Sequence, residues 1–138
     1  MTLDGHWVIN GNGNFLDFGY SGSIVVNKNS YLKFKNVSLR GVKGNSIRCF
    51  DDSGKVSFDR ANLAMSGNYS FTVGSFKAKS FFEIDGSYAF NYQSGMTSTV
   101  DKSSRWLLHP NTTLSIGRKE RFGRQPLYFE DNTSQLIY

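Results

Sequence analysis

Few side chains in this 138-residue chain have the type and spacing for chemistry. Asp51 and Asp52 are adjacent carboxylates. Such a pair can hold Ca²⁺ or serve as acid and base. They sit in the string FDDSG, which fits a β-turn whose Asp accepts backbone N–H bonds. Calcium-binding solenoids repeat a Gly/Asp nonapeptide, and this chain does not. Cys49 is the one cysteine, so no internal disulfide forms. No His lies near it in sequence, and it reads as a small buried or half-buried side chain. His6 and His109, the two histidines, stand in no metal-ligand spacing and read as turn or surface residues. Gly11-Asn12-Gly13 lacks the third Gly and the helix of a nucleotide motif, so it reads as a turn. These residues assign no catalytic group, no cofactor and no metal.

Charge is the stronger signal. The net charge is +5 and the pI is near 9.4. One group of cations runs over residues 28–43: Lys28, Lys33, Lys35, Arg40 and Lys43. The string NVSLRGVKG within it is expected to be a long corner that protrudes as a basic loop. A second group is the string RKERFGRQ, with Arg118, Lys119, Arg121 and Arg124 around Phe122. Basic residues interleaved with an aromatic can hold a polyanion. Lys33, Lys35, Arg40, Lys43, Arg118, Lys119, Arg121 and Arg124 therefore form a candidate patch for a polysaccharide or other polyanion. If both loops stack on one corner they make one positive stripe.

The elements that must carry these groups are short strands. Residues 15–34, FLDFGYSGSIVVNKNSYLKF, read as three strands separated by polar turns. Moved along by 32 residues, Phe15, Phe18, Gly22, Ile24 and Val26 fall without a gap on Ile47, Phe50, Gly54, Val56 and Phe58. Looser rounds follow through Phe71 to Ile84, Phe90 to Leu108 and Leu114 to Tyr138. Self-similarity at a period of about 20 to 30 residues, built from short strands, marks a solenoid. Within each phrase the period is 2: Leu32 and Phe34 alternate with Lys33 and Lys35, and Phe76 and Ala78 with Lys77 and Lys79. One face is thus apolar and the other wet. Phe71, Phe76, Phe81, Phe82, Tyr88, Phe90 and Tyr92 are expected to stack as core ladders. The expected fold is an all-β parallel solenoid with about three strands per coil and four to five coils, a single domain over residues 1–138. A β-sandwich or jelly roll is the alternative. No stretch approaches the 18 or so apolar residues of a membrane helix, and no signal peptide opens the chain.

LDGHWVINGNGNFLDF is similar to the LDGxG phrase that opens coils in right-handed parallel β-helix proteins of bacterial surfaces, such as autotransporter passengers. NSYLKFKNVSLRGVKGNSIRCFDDSGKVSFDRANLAM resembles the strand-turn-strand phrases that follow it there. The resemblance covers nearly the whole chain as a style of repeat. It implies a right-handed β-helix and an extracellular or cell-surface role in adhesion or as a scaffold, in a class with many non-enzymes.

Leu3, Trp7 and Ile9 at the start, and Leu136 and Tyr138 at the end, read as strands in mid-phrase with no capping helix or charge run. They are expected to be stacking surfaces of a longer solenoid or of copies joined end to end. The leading reading is a non-enzymatic structural module whose partner is itself. A carbohydrate- or polyanion-binding module using the basic loops is the second. A polysaccharide-degrading β-helix enzyme is the weakest, since it needs clustered carboxylates and the 11 acidic residues are scattered mostly at turns.

Overall fold

The computed structural model describes residues 1–117 and 126–138. Fourteen strands follow one another among the described residues. The first seven are β1 (Thr2–Leu3), β2 (His6–Asn10), β3 (Phe15–Asp17), β4 (Ile24–Val26), β5 (Tyr31–Gly44), β6 (Ile47–Cys49) and β7 (Lys55–Phe71). The rest are β8 (Ser75–Asp85), β9 (Ala89–Tyr92), β10 (Ser98–Val100), β11 (Arg105–Leu108), β12 (Thr113–Ile116), β13 (Leu127–Phe129) and β14 (Gln135–Ile137). All pairings are parallel and stack about five turns of a β-solenoid.

Three walls result. The first runs from β2 through the opening halves of β5, β7 and β8 to β10 and β13. The second runs from β3 through later parts of β5, β7 and β8 to β11 and β14. The third is in two pieces: β1, β4 and β6, then the end of β7 with β9 and β12. Where it breaks, the buried Tyr69 hydroxyl donates to the Ile47 carbonyl at 2.5 Å and closes the gap.

The period-2 alternation sets what faces in. Leu32, Phe34, Leu39, Phe58, Leu63, Phe82 and Ile84 are fully buried. Their columns compensate for size. Ala78 follows Phe58 on the first wall, and Ala61 precedes Phe82 on the second. The Phe58 and Phe82 rings then stack across the interior with centroids 4.4 Å apart. Phe76 packs on Phe58 at 4.8 Å and edge-on to Phe71 at 4.6 Å. The large rings of one turn thus face the small residues of the next, and the rings pack in stacked and edge-on contacts.

Among the described residues one corner repeats a left-handed residue at five of the six crossings from the first wall to the second: Asn12, Asn36, Arg60, Ser80 and Ser103 all have positive φ, between 48 and 64°. At Asn36, Arg60 and Ser80 that single residue bends the chain within a strand. Long strands such as β5 and β7 can thus continue around the bend. For this reason NVSLRGVKG does not protrude: Val37, Leu39 and Val42 are buried, and the segment belongs to β5.

Two further readings are sharpened or corrected. Phe34 pairs with Phe58 and Val56 with Phe76, so these turns span 24 and then 20 residues, inside the expected 20 to 30 but shorter than the shift of 32 that aligned the opening phrase. The longer shift equals one turn plus one strand, and laid the second-wall Phe15 on the third-wall Ile47. Phe15, Phe50 and Tyr88 point outward, at 56%, 59% and 43% exposed, and Phe81 is only half-buried beneath the Arg105 guanidinium. In β3 it is Leu16 that packs against the core.

Candidate functional site

The chemistry-bearing residues are dispersed. Asp51 Oδ1 accepts from the Ser53 hydroxyl at 2.5 Å and from its backbone N–H at 2.9 Å. Those bonds hold the carboxyl below the usual range. Asp52 accepts from the Gly74 N–H of the next turn at 3.0 Å. Both therefore act as corner braces. Cys49 is buried, and burial first, then the Asp51 and Asp52 charges, push its thiol up to about 12. His109 Nε2 lies 3.5 Å from Glu83 on the second wall, while His6 tilts against Tyr31 on the first, with centroids 5.8 Å apart. The Gly11–Gly13 run is a tight turn, with the Asn14 N–H donating to the Gly11 carbonyl at 2.9 Å. Among the described residues no group of three or more His, Cys, Asp or Glu could hold a metal ion. None of their helices is long and apolar enough to cross a membrane.

The expected basic patch is divided among the walls. Lys33 and Lys35 face outward on the first wall. Arg40 lies on the second, opposite Asp17 and over the Phe15 ring at 3.6 Å. Lys43 lies at the bend toward the third wall, 5.4 Å from the Tyr20 ring. Arg118, Lys119, Arg121 and Arg124 lie outside the described residues.

What gathers instead is a set of lysines that sequence separation conceals. In one cross-strand row Lys33, Ser57, Lys77 and Thr99 lie in register; in the next, Lys35, Asp59 and Lys79. Lys55 sits between Tyr31 and Ser75 in a third. Five lysines therefore share the outer face of the first wall. Asp59 is 3.7 Å from Lys33, and Asp101 is 3.5 Å from Lys77. Ser57 points outward yet is only 3% exposed. It lies in register between Lys33 and Lys77. The signal was present as alternation: Lys33, Lys35, Lys77 and Lys79 flank inward residues, and only the register joins them.

The other notable surfaces are the two ends of the stack. Among the described residues β1, β2 and β3 pair on one edge only, as do β12, β13 and β14. Leu3 is itself buried, and Ile9 and Leu136 are half-buried. Trp7 is 47% exposed, with its indole N–H donating to the Asp4 carbonyl at 2.6 Å, and Tyr138, beyond β14, is 93% exposed. Val8 at one end and Ile116, Phe129 and Ile137 at the other add exposed apolar surface.

Comparison with protein-family models, with curated proteins and with solved structures finds no match to this chain.

Proposed function

We propose that the protein is a non-enzymatic structural β-solenoid of a bacterial surface or fibrous protein, and that copies of it stack end to end. One observation carries the reading. Among the described residues the outer strands of the first and last turns keep one unpaired edge each and expose apolar side chains between them. The two ends present opposite edges of similar three-walled sections, so a second copy placed head to tail would continue the parallel ladders. Such a contact does not close on itself and grows a filament. Unpaired parallel edges are templates for more strand. The hydroxyl and carboxylate side chains at the corners are engaged in bracing neighbouring turns. Ser104 Oγ accepts from the Ser80 N–H at 2.7 Å and Thr133 Oγ1 from the Ser103 N–H at 2.6 Å. That use favours a scaffold over a catalyst. The surface setting rests on the β-helix resemblance alone.

Light scattering across a concentration series, with negative-stain microscopy of the same samples, tests the proposal. Open-ended growth is expected, and Trp7→Lys or Leu136→Lys, both on inward-facing rows of the end turns, suppresses it by placing an unpaired charge in the contact. A monomer at every concentration overturns the proposal.

A further inference from the structure

The lysine face of the first wall is a surface of a kind neither other wall has. The second wall mixes Arg40 and Arg105 with Asp17, Glu83 and Asp85. The second piece of the third wall presents a neutral row of Ser70, Asn91 and Ser115. On the first wall, five lysines face two aspartates, an excess of three positive charges. The rows are regular. Neighbouring strands lie about 4.8 Å apart, and alternate residues along a strand about 6.6 Å apart. Lys33 and Lys77, with Ser57 between them, are therefore roughly 9.6 Å apart at the backbone, two strand spacings.

An open groove of about 630 Å³ borders this face, lined by His6, Tyr31, Lys55, Lys77 and Met96 with the Asp52 turn at its edge. It follows the solenoid axis, because His6, Tyr31 and Lys55 occupy successive turns in register. We propose that this face binds an extended acidic polysaccharide, its carboxylates or sulfates on Lys55, Lys77 and Lys79 and a sugar ring against Tyr31. Three observations select that ligand. The groove is open and crosses several turns, which suits a long chain better than a small molecule held in an enclosed pocket. Among the described residues the cations in the strand rows of this face are lysines, point charges and not the planar fork that arginine offers to phosphate, and the arginine at its border, Arg60, lies against Asp59 at 3.5 Å. The groove holds one aromatic pair, His6 and Tyr31, where single-stranded nucleic acid calls for a series of stacking platforms.

The test uses the whole chain and three probes: polygalacturonate, neutral dextran and an oligothymidylate. Binding is followed by calorimetry at two salt concentrations. Polygalacturonate is expected to bind, to weaken as salt rises, and to outcompete both other probes. The triple variant Lys55→Gln/Lys77→Gln/Lys79→Gln, whose side chains are all exposed, is expected to bind roughly tenfold more weakly. Arg48→Gln on the third wall is expected to bind as the parent does. Circular dichroism of each variant establishes that its fold is kept. Failure to bind polygalacturonate, equal binding by the triple variant, or tighter binding of the oligothymidylate overturns the proposal. None of these outcomes depends on filament growth.

Discussion

The middle turns and the end turns are built from the same alternating strands, yet they bury them very differently. Phe58, with a strand on either side, is completely buried, whereas Trp7 and Phe129, each with a partner on one side, are 47% and 39% exposed. An inward-pointing position in a solenoid is covered most completely when a neighbouring strand lies above and below it. Stability is thus concentrated in the middle and falls toward the ends, as expected of a nearly one-dimensional stack.

The largest effect lies in that contrast. Phe58→Ala is expected to cost about 3–5 kcal/mol, because three rings, Phe34, Phe76 and Phe82, lose contact with the one removed. Trp7→Ala is expected to cost under about 1 kcal/mol in a monomer, since half of the side chain is already in water. Urea unfolding of both measures the difference, and equal losses would break the comparison. Next comes Gly74→Ala, at about 2 kcal/mol. Its φ is +94°, and a Cβ there would lie 2.6 Å from Cys49 Sγ in the turn above. The same packing governs Cys49. Its folded pKa is raised from 9.0 to about 12, so its contribution is whole below about 9 and is lost as pH climbs toward 12. Labelling with a maleimide at pH 8 is expected to be slow until the protein unfolds.

Smaller effects isolate what a turn does without its neighbours. Arg60 holds φ at 51° where the equivalent corners of adjacent turns have Asn36 and Ser80. Arg60→Asn is expected to raise stability by about 1 kcal/mol, read as a higher urea midpoint, because Asn tolerates the left-handed region. Smallest is the pair Asp51 and Asp131, one in a middle turn and one in the last. Each accepts from a hydroxyl and a backbone N–H two residues on, and each has a lowered pKa. Their contributions are present above the ordinary carboxylate pKa and are lost as pH falls through the lowered values. Carboxyl NMR titration is expected to give both a midpoint below 3.8. A normal value for Asp131 alone would show that even this local brace needs a covering turn.

Alternation was the legible part of the fold. Leu32, Phe34, Val56, Phe58, Phe76 and Ala78 all point inward as their spacing requires. The bends were less legible. A left-handed Asn36 or Arg60 turns a strand without interrupting it, so a corner in space is not a break in pattern. Phe15 and Phe81 misled for a related reason: residues beside a bend can flip the parity that alternation assumes, and each then lies under an arginine on the outside.

The sequence by itself determined that the chain is a stack of short strands with one dry and one wet face, because a period of 2 admits no other regular backbone. It determined the corner braces too, since Asp51 and Asp131 bond only two residues ahead. Register was decided by the tertiary structure alone. Every strand presents the same alternation, so a shift by a whole strand satisfies the pattern equally well. Only packing of particular rings, Phe58 against Phe82 over Ala78 and Ala61, selects turns of 20 to 24 residues here. That choice also brings Lys33, Lys55 and Lys77, far apart in the chain, onto one face.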